Sequence, residues 1–358
     1  MGFSIRRRPN VCSPLSQCMV SKASYRLFTI DKIGWAVGST VGIYFEEASR
    51  LTINVAFPSV WVGADRFERA LREGVDALQT QDMAVSIKVP DGCSIMVDAG
   101  VRLLSYVNQL RHVGKSVTLD FVAGMSGTMG YLNRMGFFDL LHDDVEVLPE
   151  KPSWSSAAVY RRSNRTLVEF ERIERGKEDR ELPGRLVDAL LESMEKSTNS
   201  QELEHAAFTM LGELIGNVYE HSETDLAGFA ALQSYNSGRA RTVRVAVSDS
   251  GYGLLDTLRP SLQTHYPKLV GCPDTELLVE VLRNGVSRHG RTRGSGLKAT
   301  AERAMKFKAT VDVRLPVSHI RLVPSRFGYE LGRATVHDTA PLIWGTHIAI
   351  DFRIDQPT

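Results

Sequence analysis

The sequence predicts an α/β protein built from two structured units, and two observations indicate this class. Residues 45–150 alternate short β-branched runs with amphipathic segments of helical length, which is typical of a compact α/β domain. Residues 165–358 contain further strand and helix patterns, interrupted by three polar motifs that include glycines. A chain of 358 residues is long enough for two or three domains, each with a core of its own.

The composition indicates which binding partners and which cellular compartment to expect for this chain. The chain is 43% hydrophobic and 24% charged, and its net charge of +1 gives no global field that would attract nucleic acid or an anionic membrane. No apolar run reaches about 18 residues, so we expect no transmembrane span. The cysteines match no zinc-site spacing and require no disulfide, which favours a reducing, cytoplasmic setting. They are Cys12, Cys18, Cys93 and Cys272.

Residues 1–44 are predicted to be a basic N-terminal leader, partly disordered. Their first 30 residues contain five basic side chains and no acidic one. This composition is similar to that of an organelle transit peptide, but the segment lacks an amphipathic arginine face. A disordered basic leader is therefore the favoured interpretation.

Residues 45–150 are predicted to fold as one α/β unit. Apolar and β-branched runs predict strands at 51–56, 84–89 and 116–122, with a short strand near Val145. Helical periodicity predicts helices at 65–78, 95–112 and 127–135. Strict alternation of these elements favours a compact α/β domain.

One segment of this unit has a recognisable family pattern. The run VDAGV at 97–101, followed by LLSYVNQLRHVGKSVTLDFV, resembles a STAS domain, the fold of anti-sigma-factor antagonists. The later run MGYLNRMGFFDLL is similar to the end of that family. Phosphorylatable members carry serines just before the position equivalent to Gly100, where this chain has Asp98 and Ala99. We therefore expect no serine phosphorylation switch there, which leaves a docking or scaffolding module.

Residues 151–164 are predicted to be a linker to the second domain, at 165–358. That domain is expected to begin with a strand at 166–174 and a helix at 183–196. Further strands are expected at 242–247, 310–315, 320–323, 335–337 and 347–354, and a helix at 298–305.

The first polar motif is LGELIGNVYEH at 211–221, whose apolar residues recur at helical spacing. Glu213 and Asn217 are four apart and therefore share one helix face. A carboxylate can orient or deprotonate water, and an amide oxygen can bind Mg²⁺. Taken alone, the pair is more typical of a solvated helix face, because this spacing is common by chance.

The second and third motifs add a carboxylate and glycine-rich turns. Asp249, Gly251 and Gly253 follow the predicted strand 242–247, and alone they would indicate an ordinary glycine-rich turn. The third motif, RGSGL at 293–297, opens a predicted helix, where free N–H groups and the helix dipole favour an anion.

The three motifs together resemble the ATP-binding domain of the GHKL superfamily, which includes DNA gyrase B, MutL, large heat-shock chaperones, sensor histidine kinases and anti-sigma-factor serine kinases. Trp344-Gly345-Thr346, followed by HIAIDFRI, resembles the Gly-Thr that opens the family's last strand. The resemblance covers about residues 165–355, and it implies a Bergerat-type α/β sandwich with a mixed sheet.

The resemblance also implies a role for each motif. Asp249 would bind the adenine amino group with support from Thr346 through a water, and Gly251 and Gly253 would let the backbone approach the base. Asn217 would hold Mg²⁺ between the phosphates, and Glu213 would be the general base. The phosphates would lie against the third motif, which comprises Arg293, Gly294, Ser295, Gly296 and Leu297.

The region between Gly253 and Gly294 is expected to be a long loop, because it contains several prolines and corresponds to the lid of the family. Its basic residues could contact the γ-phosphate or form a solvated basic loop. These are Arg288, His289, Arg291 and Arg293.

Two classes of function remain open: an ATPase or protein serine/threonine kinase, and an ATP-gated interaction module. No long helical hairpin precedes the motifs, and His205 is interpreted as a structural histidine. A sensor histidine kinase is therefore not expected. A protein partner is expected in either class, and a homodimer is left open.

Overall fold

The computed structural model describes residues 52–81, 84–194, 200–221, 224–237, 240–288, 290, 295–325, 328–331 and 339–355. The predicted leader, the predicted strand at 335–337 and the residues His289, Arg291, Arg293 and Gly294 lie outside these ranges. All described residues belong to one contact unit, residues 48–358.

The N-terminal half is organised around a parallel sheet. Its strands are β1 (Thr52–Ala56), β2 (Trp61–Val62), β3 (Ala84–Val89), β4 (Ser94–Ile95), β5 (Ser116–Phe121) and β6 (Glu146–Leu148). Four of them form a parallel sheet in the order β1-β3-β5-β6, and β2 pairs with β4. Parallel neighbours require crossover connections. These contain α1 (Ala64–Arg72), α2 (Val97–His112), α3 (Thr128–Arg134) and α4 (Phe137–Leu140).

The predicted elements of this half are present, and two of the predicted boundaries differ by more than one residue from those observed. Strand β3 has the predicted bounds, whereas α1 ends at Arg72 instead of Leu78. Gly74 is a poor helix former, and the Asp76 carboxylate accepts from Leu78 N at 3.2 Å, which favours a turn over a further helical turn. Helix α2 begins at Val97 because Ile95 pairs with Val62 in the β2–β4 ribbon.

The C-terminal half contains a seven-stranded sheet. Its strands are β7 (Leu167–Ile173), β8 (Gly228–Ser237), β9 (Ala240–Ser248), β10 (Thr310–Arg314), β11 (His319–Ser325), β12 (Gly328–Leu331) and β13 (His347–Asp355). Its helices are α5 (Ser156–Tyr160), α6 (Leu182–Ser193), α7 (Ser200–His221), α8 (Leu254–His265), α9 (Asp274–Asn284) and α10 (Ser295–Lys306).

The strand order of this sheet is β12-β11-β10-β13-β9-β8-β7, and every described pairing in it is antiparallel. The prediction of a mixed sheet in this half is therefore wrong. Strands β9 and β10 do run parallel, but β13 lies between them and is antiparallel to both. The chain as a whole combines helices with parallel and antiparallel sheets, which confirms the α/β class.

The described residues between Gly253 and Gly294 are mostly helical, so the expectation of a long loop there is wrong. Helices α8 and α9 occupy most of this region, with a short 3₁₀ turn at Pro267–Leu269 between them. Leu255, Leu258 and Leu262 are buried at helical spacing, so packing stabilises α8 although Pro260 lies inside it.

Helix α2 packs against both sheets. Thirteen of its 16 residues are buried, because β5 lies on one side of it and β8 and β9 on the other. Gly100 lies against the ring of Phe170, and a Cβ on Gly100 would be 2.8 Å from Phe170 Cζ. The core of the N-terminal half therefore extends onto one face of the C-terminal sheet, through Phe170, Phe229, Ala231, Ala246, Ile343 and Ala349.

A buried network of charges also joins the two halves. Arg102 of α2 contacts Glu68 of α1 at 3.1 Å and also pairs with Asp312 of β10. Arg314 of β10 binds Glu68 at 2.8 Å, and His319 binds Asp312 at 2.9 Å. Burial alone would raise the pKa of Glu68, but the two arginines and His319 outweigh it and hold that pKa below its usual value.

Within the described ranges, no helix is both long enough and apolar enough to cross a membrane.

Candidate functional site

A cavity of about 470 Å³ lies between α7, α8, α9, α10 and the adjoining ends of β9 and β13. Seven residues that the sequence motifs single out line it. They are Glu213, Asn217, Asp249, Gly253, Gly296, Leu297 and Thr346. Another cavity, of about 580 Å³, lies against β7 and α6, and none of the predicted site residues that the structure describes lines it.

Asp249 and Thr346 form the floor of the first cavity, just beyond the last β9–β13 pair, Ser248 and His347. Asp249 N donates to Thr346 O at 3.0 Å, and Thr346 N donates to Asp249 Oδ2 at 3.0 Å. Gly251 N donates to Asp249 Oδ1 at 2.8 Å. Gly251 does not itself line the cavity, but its N–H helps to fix the carboxylate that does.

The surroundings of Asp249 shift the pKa of its carboxyl group. Burial raises its pKa to about 6, against the two backbone N–H donors, which lower it. The carboxylate is therefore ionised near neutral pH and available as an acceptor for a donor group on a ligand.

Two glycines shape the floor. Gly253 has φ +85° and Gly345 has φ +90°, a region that disfavours other residues. A Cβ on Gly345 would lie 2.2 Å from Asp249 O, and one on Gly253 would lie 2.7 Å from Pro316 Cδ. Neither position has room for a side chain, so both turns depend on glycine.

Helix α7 supplies one wall. Glu213 and Asn217 both line the cavity, as their i, i+4 spacing predicts. Glu213 is exposed and Asn217 is half-buried. An exposed carboxylate beside an amide oxygen can orient water and bind a hard cation at one site.

The start of α10 supplies the facing wall through Gly296 and Leu297. The first N–H groups of a helix have no partner within the helix and carry the positive end of its dipole, so they favour an anion there. Ser295 is the first residue of α10, while Arg293 and Gly294 lie outside the described part of the chain.

Several lining residues were not predicted as site residues. Apolar side chains cover much of the wall and give a surface suited to a flat ring: Leu214, Val218, Val247, Leu254, Leu258, Val281, Val286 and Ile348. The polar additions are Glu220, Thr257 and Ser287. Arg288, one of the basic residues considered for the γ-phosphate, also lines the cavity. The helical spacing of the leucines in α8 could have predicted part of this wall. The prolines in this region suggested a loop instead. His205 is exposed on α7 and does not line the cavity.

A scan against protein-family models and a search of the curated proteins each found no match.

Proposed function

We propose that this chain binds Mg-ATP in the cavity between α7, α10 and the ends of β9 and β13, as a GHKL-type domain with a STAS-like unit packed on its sheet. The observation that carries the proposal is the convergence on one cavity of seven residues from four separated sequence motifs. The cavity volume of about 470 Å³ is also in the range of small-molecule sites.

Base recognition is assigned to the floor. The ionised Asp249 carboxylate accepts from the adenine amino group, while Thr346 supports it through a bridging water. The apolar wall stacks against the ring. A charged acceptor at the floor of a cavity discriminates strongly against a base that presents a carbonyl at the same place, because that contact would leave both groups unpaired.

The phosphates and metal are assigned to the opposite end of the cavity. Asn217 offers an amide oxygen to Mg²⁺, and the first N–H groups of α10 receive phosphate oxygens. Arg288 adds positive charge to the same wall. Glu213 acts as the general base toward a water or hydroxyl.

Two modes of action follow from this site. The carboxylate of Glu213 favours an ATPase or a serine/threonine kinase with a protein substrate. The packing of α2 against the residues beside the floor favours an ATP-gated interaction module. In both modes we propose a cytoplasmic regulator with a protein partner, and a homodimer is left open as that partner.

Calorimetric titration with Mg-ATP and with Mg-GTP tests the binding site. Saturable binding of ATP, with much weaker binding of GTP, is the expected result. Asp249→Asn should weaken ATP binding at least about tenfold, because a buried polar mismatch costs about 1–3 kcal/mol or more for a charged group. Asp256→Asn is the matched control, because Asp256 is exposed on α8 and outside the cavity.

Unchanged ATP affinity in a folded Asp249→Asn protein would exclude the adenine assignment. Phosphate release and phosphotransfer, measured with and without candidate partner proteins, then separate the enzyme from the gated module.

A further inference from the structure

Gln109 of α2 is fully buried, and its carboxamide bridges two loops of the C-terminal half. Its Nε2 donates to Ser250 Oγ at 3.0 Å and to Trp344 O at 3.0 Å. Its Oε1 accepts from Trp344 N at 2.9 Å. One side chain of the N-terminal half thus binds both loops that carry the cavity floor.

These contacts are immediately behind the candidate base-binding groups. Ser250 is the neighbour of Asp249, and Trp344 is two residues before Thr346. One turn earlier on α2, Ser105 Oγ and Ser248 Oγ are 2.9 Å apart. Helix α2 therefore touches the chain on both sides of Asp249.

Two histidines also contact Trp344. His347 Nε2 lies 3.0 Å from Trp344 O, and since a carbonyl can only accept, that nitrogen carries the hydrogen. Burial, and then Arg102 and Arg314, lower the pKa of His347 well below its usual value, so the ring is neutral. The His112 ring meets the Trp344 indole edge-on, at 6.0 Å between centroids.

The chemistry of the bridge requires a carboxamide. A glutamate could accept from Trp344 N and from the Ser250 hydroxyl but could not donate to Trp344 O, and an apolar residue could make none of these bonds. Because Gln109 and Ser250 are buried and Trp344 is half-buried, losing the bridge leaves polar groups unsatisfied and lets the two loops move apart.

We propose that Gln109 is a positioning residue for nucleotide recognition: it holds the Asp249 and Thr346 loops together so that the carboxylate meets the adenine amino group. This inference rests on the proposed function. It makes the N-terminal unit part of the nucleotide site, although none of the residues described in that unit lines the cavity. By linkage, nucleotide binding and the packing of α2 then stabilise each other.

The test compares ATP with purine riboside triphosphate, which lacks the 6-amino group, on the full chain by titration calorimetry. Wild type should prefer ATP. Gln109→Leu should lower ATP affinity at least about fivefold and change purine riboside triphosphate affinity less than about twofold, since only the amino group uses Asp249. A loss of preference for the amino group distinguishes mispositioning of Asp249 from general damage to the cavity.

Asn108→Leu is the matched control. Asn108 is the adjacent residue and is also a bridging carboxamide, but its partners are Leu140 O at 3.2 Å and His142 N at 3.0 Å, away from the cavity. This variant should keep the wild-type preference for ATP. Gln109→Glu keeps the size and the acceptor, removes both donors, and should behave like Gln109→Leu.

A second measurement needs no variant. In wild type, ATP should slow amide hydrogen exchange in 105–114 and 340–346 more than purine riboside triphosphate does at equal saturation. If ATP binds but these segments do not respond, or if Gln109→Leu weakens both nucleotides equally or neither, the positioning role is overturned and the binding proposal stands. If wild type binds neither nucleotide, both proposals fall together.

Discussion

The carboxylate of Glu213 lies directly over the Cα of Gly296, so that a Cβ built on Gly296 would be 2.1 Å from Glu213 Oε2. Helix α7, which carries the candidate general base, and helix α10, which carries the candidate phosphate site, therefore meet at a residue with no side chain. The position of the Glu213 carboxylate depends on this close approach.

Gly296→Ala should therefore displace Glu213 and lower ATP turnover at least about tenfold, because misplacement of a catalytic group by about 1 Å can cost roughly 10²-fold. The measurement is phosphate release under saturating ATP. Gly216→Ala is the control, since Gly216 is on the same helix as Glu213 and a Cβ there meets no atom within 4 Å. Turnover equal to wild type in Gly296→Ala would contradict the proposed placement of Glu213.

Glu213 and Asn217 share a helix face, but replacing each with alanine should affect nucleotide binding and turnover differently. Glu213→Ala should bind ATP about as well as wild type and lose turnover at least about a hundredfold, because it removes a group used only in the transition state. Asn217→Ala removes the proposed metal ligand and should weaken nucleotide binding only when Mg²⁺ is present. Calorimetry with Mg²⁺ and with EDTA, paired with phosphate release, separates the two effects. Equal loss of binding in both variants would refute this division of roles.

The raised pKa of the half-buried Asp249 predicts a pH dependence of stability. Its pKa is about 6 in the folded protein, against a usual value of 3.8, so the folded state binds the proton more tightly than the unfolded state. Its stabilising contribution is therefore full below pH about 4 and is lost as the pH rises through about 6. The free energy of unfolding of wild type, minus that of Asp249→Asn, should be larger at pH 4.5 than at pH 7.5. A difference that stays constant with pH would show that burial does not shift this group.

The STAS-like segment should not be phosphorylated between Asp91 and Ser105 by the attached domain. Ala99 occupies the position where a serine is expected, and both Asp98 and Ala99 are buried. Ser105 is also buried and bonded to Ser248, which leaves Ser94 as the more accessible hydroxyl. Mass spectrometry after incubation with Mg-ATP checks this, and a stoichiometric phosphate anywhere in this range would disprove it.

Sequence patterns predicted those elements whose structure depends on residues close together in the chain. Strand β3 and the cavity-lining pair Glu213 and Asn217 follow from spacing alone. Strand β8 was missed because GFAALQSYNS has no β-branched residue. It is a strand because β7 and β9 satisfy its backbone on both edges. Helix α8 was missed because Pro260 suggested a break, whereas its buried leucines hold it.

The packing of the two halves could not be predicted, because its determinants are far apart in the sequence. In α2, the polar side chains of Asp98, Arg102 and Gln109 would ordinarily mark a solvated face. All three are buried, and each has at least one partner in the C-terminal half of the chain: Asp98 pairs with Arg244 at 2.9 Å, Arg102 with Asp312, and Gln109 with Trp344. Only the tertiary structure reveals why these positions are polar.

The buried charge network gives the last prediction, which concerns stability. Arg102→Met should lower the free energy of unfolding by about 3–5 kcal/mol, because it leaves the buried carboxylates of Glu68 and Asp312 short of a cation. Arg172→Met is the matched control, since Arg172 makes a 3.6 Å surface pair with Glu174 and its side chain is 45% exposed, so it should cost at most about 1 kcal/mol. Denaturant unfolding of both variants measures the difference. If Arg102→Met costs no more than Arg172→Met, Arg314 and His319 compensate the two acids without Arg102, and the network does not hold the halves together.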